Sequence, residues 1–174
     1  MVKNDGNIQK IGIIICLYTG IHIGEVCALK WEDVQFENAV LHIYKTVYRT
    51  KDFSKNNRKT KLIVKETKSK HSVRYIPLGS TLLEYLKKYR QEDSCFALTG
   101  NSEKPLDPRT YQNQFYSYLE KCNIKRIKFH ILRQPKVKSK TKILYSFLQK
   151  IFYFPFDLYA IFFKNIDFIN KDVN

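Results

Sequence analysis

The sequence predicts an α+β fold in which helices dominate and a small antiparallel sheet lies between them. Apolar residues recur at helical spacing within the first 31 residues and again between residues 80 and 122. Short β-branched or apolar stretches, typical of strands, occupy the region between them. The length of 174 residues suits one domain with an appendage rather than two domains.

Two helices are predicted at the start of the chain. Residues 11–18 form an apolar run that ends at Thr19-Gly20, as expected of a buried helix stopped by glycine. A second helix is predicted from four apolar residues at helical spacing, with Glu25, Lys30 and Glu32 on its solvent side. These apolar residues are Ile23, Val26, Cys27 and Trp31.

Three short strands are predicted next, at residues 40–44, 62–64 and 72–78, with Pro77 ending the last. Between the first two strands, TVYRTKDFSKNNRKTK (residues 46–61) is predicted to be a polar basic loop. The strands are expected to form one small antiparallel sheet.

Two further helices are predicted after the sheet. Ser80 can cap a helix that carries Leu82, Leu86 and Tyr89 on one face. Asp107 is the expected cap of the next helix, with Pro108 in its first turn. The apolar face of that helix is marked by Tyr111, Phe115, Tyr118, Leu119 and Cys122.

Charge and cysteine content restrict the class of partner and compartment. A formal charge of +15 favours a polyanion, with nucleic acid first because lysines gain affinity by releasing counterions from phosphates, and anionic membrane second. The four cysteines are widely separated, without a C-x-x-C pair, so neither a zinc site nor a disulfide framework is indicated. The polar N-terminus lacks the features of a secretory signal, and a cytoplasmic location is expected.

Three separated clusters carry the candidate chemistry: YTGIHIGEVCALKWEDV (residues 18–34), TKSKHSVRYIPL (residues 67–78) and FHILRQ (residues 129–134). In this order they resemble the catalytic domain of the tyrosine recombinases, the phage-type and conjugative-transposon-type integrases. The family motifs usually read TG-x-R-x-GE with L-x-W-x-D, then K-T-K-S-x-x-R-x-I-P, then H-x-L-R-H. The resemblance covers residues 11–133 almost continuously, and three ordered motifs are much more specific than one.

The resemblance implies a DNA breaking and rejoining reaction without metal or cofactor. In the family, a tyrosine hydroxyl attacks a phosphodiester and forms a 3′-phosphotyrosyl link, which a second DNA end later reverses. Because no metal is used, arginine forks meet the charge that grows on the phosphate. A hairpin lysine protonates the leaving 5′-oxygen, and a histidine assists the attacking hydroxyl. The implied partners are double-stranded DNA and other recombinase protomers, with no membrane and no small-molecule substrate.

Matched residue by residue, Lys68 corresponds to the hairpin lysine, and His130 and Arg133 correspond to the histidine and the second arginine. Their i, i+3 spacing predicts that His130 and Arg133 share one face of a helix start. Glu25 matches the GE carboxylate and is expected to support the catalytic groups. Singly, Lys68 is better explained as a solvated lysine and His130 as a satisfied helix-terminus histidine; the ordered set favours the catalytic interpretation. The predicted DNA-binding residues all belong to the second cluster: Lys68, Lys70 and Arg74.

His22 stands where the family has its first arginine, and it is included among the predicted catalytic residues. Imidazole is shorter, offers one donor rather than a fork, and is mostly neutral at pH 7, with a reference pKa of about 6.5. Loss of one strong oxyanion donor typically costs about 2.7–4 kcal/mol, or roughly 10² to 10³ in rate. His22 therefore predicts weak transition-state stabilisation.

After Arg133 the sequence departs from the family pattern. The family continues with a second histidine, a helix, a G-H-[SW] turn and the tyrosine nucleophile. Here Gln134 replaces that histidine, and residues 134–174 contain no glycine. Tyr145, Tyr153 and Tyr159 stand in the wrong context, so no nucleophile is identified. The abrupt change and the residues typical of A/T-rich codons predict a frameshift.

These observations predict a partial catalytic domain over residues 1–133, a divergent Lys/Phe/Ile-rich tail over residues 134–174, and an integrase fragment that does not cleave DNA. The chain starts just before the catalytic domain, so the N-terminal clamp of the family is expected to be absent. The alternative is a non-catalytic DNA-binding module whose basic loop and hairpin lysines contact phosphates. A third interpretation makes the tail an interaction or membrane-surface segment, rather than an unselected appendage.

Overall fold

The computed structural model describes residues 8–52, 60–67 and 73–133. These residues form helices and strands in the order α1 (Ile8–Thr19), α2 (Ile23–Ala28), a 3₁₀ helix (Trp31–Asp33), β1 (Val34–Gln35), β2 (Val40–Ile43), β3 (Lys45–Lys51), β4 (Thr60–Glu66), β5 (Arg74–Pro77), α3 (Ser80–Lys87), α4 (Pro108–Lys121) and a second 3₁₀ helix (Phe129–Arg133). The predicted α+β class, with helices around small antiparallel sheets, is confirmed. Within these three ranges, no helix has the length and apolarity needed to cross a membrane.

Helix α1 lies inside the core because it is apolar on nearly all sides. Helix α4 packs against it through the fully buried Tyr111, whose hydroxyl donates to the carbonyl oxygen of Gln9 at 2.7 Å. Phe115, one turn further along α4, meets Phe129 edge-on, with ring centroids 5.1 Å apart. This aromatic contact fixes the start of the second 3₁₀ helix, which ends at Arg133.

A glycine ends α1, as predicted. Gly20 has a φ of +68°, a left-handed conformation that glycine adopts without the steric cost a Cβ would impose. Its N–H donates to the carbonyl oxygen of Cys16 at 2.9 Å, which closes the last turn of the helix. The chain then turns sharply, and α2 starts only three residues later, at Ile23.

The strands form two sheets instead of the predicted single one. Strands β1, β2 and β5 make a three-stranded antiparallel sheet, in which Leu41 lies opposite Ile76 and Ile43 opposite Arg74. Strands β3 and β4 pair separately as an antiparallel ribbon. Because β5 closes the first sheet beside β2, it carries Arg74 next to the start of α2.

The predicted basic loop at residues 46–61 is wrong over much of its length. Residues 46–51 belong to β3, and residues 60–61 begin β4. The many lysines favoured a loop, but Val47 pairs with Val64 across the ribbon and is buried on the side of α2. Burial of one face of β3 therefore makes these residues a strand despite their polar composition. Residues 53–59 lie outside the described part of the chain.

Two predicted helix boundaries also need correction. Helix α2 ends at Ala28, and Trp31 lies in a separate 3₁₀ helix, because the backbone of residues 29–32 bonds to residues 93–97 instead of continuing the helix. Ser80 is the first residue of α3, and the N-cap position belongs to Gly79. The cap predicted for α4 is confirmed, since the Asp107 side chain accepts a hydrogen bond from the Arg109 N–H at 3.0 Å.

Candidate active site

Four of the singled-out residues converge in one place, and we name this group the cationic cluster: His22, Glu25, Arg74 and Arg133. His22 precedes α2 and Glu25 lies in its first turn, whereas Arg74 begins β5 and Arg133 ends the second 3₁₀ helix. The cluster therefore joins all three sequence clusters through side chains far apart along the chain.

Glu25 is the buried centre of the cationic cluster. It is only 7% exposed, so the prediction that it lies on the solvent side of α2 is wrong. Its two carboxylate oxygens accept from the two terminal nitrogens of Arg74, at 2.9 and 2.8 Å, which is a bidentate pair. One of them also accepts from the backbone N–H of His22 at 2.7 Å. These bonds balance the charge of a carboxylate that burial alone would leave unpaired.

The titration of Glu25 reflects the same contacts. Burial would raise the pKa of this carboxyl group, but the hydrogen bonds from Arg74 and from the His22 backbone outweigh burial and hold the pKa below its ordinary value. The hydrogen-bonded carboxylate of Glu25 in turn raises the pKa of the Arg74 guanidinium. The pair is therefore ionised on both sides at neutral pH.

Arg133 is held by the backbone and by His22. Its Nε donates to the carbonyl oxygen of Gly20 at 2.6 Å, and its Nη1 lies 2.8 Å from Nδ1 of His22. A guanidinium has only donors, so Nδ1 of His22 must accept, and the proton of the neutral imidazole lies on Nε2. The second arginine of the motif is thus positioned by the turn that ends α1.

His22 is exposed at the surface of the cationic cluster and is poorly placed to carry charge. Burial of part of the ring lowers its pKa, and the positive charges of Arg133 and Arg74 lower it further, against an opposing contribution from Glu25. At pH 7 His22, which is predicted to stand in the position of the family's first arginine, is therefore a neutral, single-donor group.

His130 lies three residues before Arg133 in the same 3₁₀ helix, and its side chain is exposed. In a 3₁₀ helix, residues i and i+3 stand almost directly above each other, so the predicted common face agrees with this geometry. Phe129 and Leu132, in the same 3₁₀ helix, are buried in the core. The catalytic role of His130 stays a prediction.

Lys68 and Lys70 belong to the segment 68–72 between β4 and β5, which lies outside the described residues. The residue before this segment is well anchored: both the N–H and the hydroxyl of Thr67 donate to the carbonyl oxygen of Tyr44, at 2.7 and 3.0 Å. Arg74, just after it, is bonded to Glu25. On the two sides of this segment, the described residues Thr67 and Arg74 are therefore held by Tyr44 and by Glu25.

Sequence reasoning missed the contacts that build the cluster. Arg74 was predicted to bind DNA, and that stays a prediction, but its guanidinium is engaged by Glu25 across 49 residues of sequence. A signal existed in the strand pattern, because an arginine in an otherwise apolar β5 calls for an acidic partner. The bond from Arg133 to the Gly20 carbonyl oxygen had no such signal, since backbone acceptors leave no trace in the sequence.

No group of three or more His, Cys, Asp or Glu side chains lies close enough to bind a metal ion within residues 8–52, 60–67 and 73–133. The titratable groups of the cationic cluster are instead two arginines, one carboxylate and one neutral histidine. Arg133 suits an anion with several oxygens, because a guanidinium can donate to two oxygens at once, whereas the fork of Arg74 is already bonded to Glu25.

Comparison with known proteins supports the assignment to a family. Residues 3–136 match the phage integrase family. A tyrosine recombinase XerC-like protein of Caldanaerobacter subterraneus subsp. tengcongensis is 25% identical over 145 residues, which cover 74% of this chain and 37% of that protein. The chain thus spans little more than a third of the length of this curated relative.

Solved structures of the Tn1549 transposon integrase share the fold. One, in complex with transposon right-end DNA, has a TM-score of 0.57 and 18% identity, covering 89% of this chain and 57% of that chain. Another, in complex with a circular-intermediate DNA, has a TM-score of 0.56 and 21% identity, covering 95% and 61%. With the family match over residues 3–136, the ordered motifs and this fold, the chain belongs to the phage integrase family.

Proposed function

We propose that this chain is a catalytic-domain fragment of a site-specific DNA recombinase of the integrase type, which binds the backbone of double-stranded DNA but does not cleave it. Family membership and the formal charge of +15 support the choice of DNA as partner. The observation that carries the proposal is the contact between Arg133 and His22, which brings two motif positions 111 residues apart within 2.8 Å.

Arg133 is the main phosphate-binding group in this proposal. A guanidinium has five N–H donors. In the free protein the bonds to Gly20 and His22 use two of them and orient the side chain. The donors that remain suit the oxygens of a backbone phosphate, and little side-chain entropy is lost because the group is already held in place. His22 adds one further donor from Nε2.

The same geometry argues against strand cleavage. The transition state of phosphoryl transfer needs strong cationic donors around the phosphate, and a neutral imidazole at residue 22 supplies much less than an arginine fork. Lys68 as general acid and His130 as the partner of the attacking hydroxyl complete the proposed catalytic set. The tyrosines after Arg133 do not match the family's nucleophile motif, so the attacking group is missing from the set.

Other recombinase protomers are proposed partners on the DNA, because the joining step needs a second DNA end. The proposed compartment is the cytoplasm, where DNA is accessible and the cysteines remain reduced. None of the described cysteines, which are Cys16, Cys27, Cys95 and Cys122, forms a disulfide bond.

Two measurements test the proposal. Fluorescence anisotropy with a labelled duplex should show affinity that falls with salt by about 0.9 log units per tenfold salt for each neutralised phosphate. Arg133→Ala should reduce that slope by about one phosphate contact, whereas Arg90→Ala, which removes an exposed arginine bonded to Asp93, should leave it unchanged. Binding that is absent or insensitive to salt would contradict the proposal.

Cleavage is tested separately with nicked attachment-site DNA on a denaturing gel. The proposal expects no covalent protein–DNA adduct with the chain as it exists. An adduct would show that the chain is an active recombinase and that one of its tyrosines attacks the phosphate.

A further inference from the structure

His22 brings to the cationic cluster a group that titrates near neutral pH, where an arginine would stay charged at all relevant pH values. In the free protein the bond from Arg133 requires Nδ1 of His22 to accept, which excludes the doubly protonated imidazolium in this arrangement. The site is therefore neutral at residue 22 for a structural reason, namely a donor placed on the nitrogen that would have to be protonated.

The charged groups around His22 come from each element that packs near it. Glu25, on the same helix, contributes a negative charge, while Arg133 from the second 3₁₀ helix and Arg74 from β5 contribute positive charges. The turn that follows α1 contributes the backbone carbonyl oxygen of Gly20, which accepts from Nε of Arg133. Since Glu25 is already engaged by Arg74, the charge facing His22 in the free protein is net positive.

We propose, on the basis of the DNA binding proposed above, that a backbone phosphate enters between Arg133 and His22 and that its binding is coupled to the uptake of one proton by His22. The phosphate oxygens take over the donor nitrogen of Arg133, which frees Nδ1 of His22. A proton from solvent then binds Nδ1, and the imidazolium donates from both ring nitrogens. No bond to phosphorus forms or breaks in this step.

The sign of the linkage follows from the two states. In the free protein the pKa of His22 lies below its ordinary value of 6.5, because burial and then the charge of Arg133 lower this pKa. A phosphate anion beside the ring favours the charged form and raises the pKa in the complex. Between these two pKa values the complex holds one more proton than its components, so affinity should rise up to about tenfold for each unit that the pH falls.

The experiment measures affinity for a short labelled duplex between pH 8 and pH 5.5 at constant ionic strength. Wild-type protein should show a slope of log affinity against pH that exceeds the slope of His22→Gln by about one in magnitude. Glutamine keeps a donor of similar reach but does not titrate. His22→Arg should bind tightly without the added pH dependence. His42→Gln, which removes a histidine stacked on Tyr75 in the β2–β5 sheet, should retain the wild-type slope.

A second readout does not depend on a variant. The imidazole resonances of His22, followed by NMR titration, should show a higher pKa with duplex DNA than without it. Equal slopes for wild type and His22→Gln, or an unchanged His22 pKa on adding DNA, would overturn this inference while leaving DNA binding intact. Absence of salt-sensitive binding at every pH would instead overturn the proposed function itself.

Discussion

Glu25→Gln should destabilise the protein by about 2–3 kcal/mol, although the two side chains have nearly the same size. The substitution removes the charge that the Arg74 guanidinium faces and replaces one acceptor oxygen by a donor NH₂ group. Three hydrogen bonds converge on this carboxylate, two from Arg74 and one from the His22 backbone. At least one of these donors loses its acceptor.

The magnitude follows from burial. Breaking a fully buried ion pair by removing one partner costs about 3–5 kcal/mol. The Glu25 side chain is 8% exposed, but the Arg74 side chain is 34% exposed, so water partly solvates the remaining guanidinium. Solvent screening therefore lowers the expected cost to about 2–3 kcal/mol.

Urea unfolding followed by tryptophan fluorescence is the assay, because the single tryptophan, Trp31, is 1% exposed in the folded state. The matched control is Glu84→Gln, which removes an exposed i, i+3 ion pair with Lys87 on α3. That pair should contribute less than about 0.5 kcal/mol. An unfolding free energy of Glu25→Gln within about 0.5 kcal/mol of wild type would refute the reasoning.

The pH dependence provides an independent check. Because the pKa of Glu25 is lowered from 4.5 in the folded state, its stabilisation is complete above pH 4.5 and is lost as the pH falls through the folded pKa. The difference between wild type and Glu25→Gln should therefore shrink in acid. A difference that stays constant down to the acid transition would show that the lost charge is not the cause.

Three further substitutions, one of them with a matched control, test other features by the same unfolding measurement. Gly24→Ala should cost about 1–3 kcal/mol, because the new Cβ would lie 2.8 Å from a backbone oxygen of β3; Gly79→Ala, with open space around it, should change stability by less than about 1 kcal/mol. Lys45→Met should cost about 3 kcal/mol or more, because Asp33, which is 3% exposed, loses the ammonium group that lies 2.8 Å from its carboxylate. Unchanged stability would contradict a buried ion pair at this position. Ala39→Gly should stabilise by up to about 0.5 kcal/mol, because φ is +51° at this turn, and clear destabilisation would contradict that strain.

The sequence by itself determined the elements whose signals are local. The apolar run before Gly20 predicted α1, and Asp107 followed by Pro108 predicted the start of α4. Both signals depend on neighbouring residues, so no knowledge of the rest of the fold was needed. The family was also evident from three ordered motifs.

Other features were decided by tertiary contacts. Strand β3 looked like a basic loop because its lysines and threonines are polar, and only pairing with β4 and packing on α2 made it a strand. Helix α2 stopped early because residues 93–97 offered its backbone other partners. Residues 93–97 lie far from α2 in the sequence, and the burial of β3 depends on α2 as well as on the neighbouring β4, so local patterns did not predict either outcome.

The candidate site divides in the same way. The sequence determined which residues lie in the three motifs, including His22, which is predicted to stand where the family has its first arginine. Only the tertiary structure showed that Glu25 is buried, that it binds Arg74 across 49 residues, and that Arg133 reaches His22 across 111. The physical reason is that the charge state of an imidazole depends on the donors and charges around it in space, and the fold alone brings those groups together.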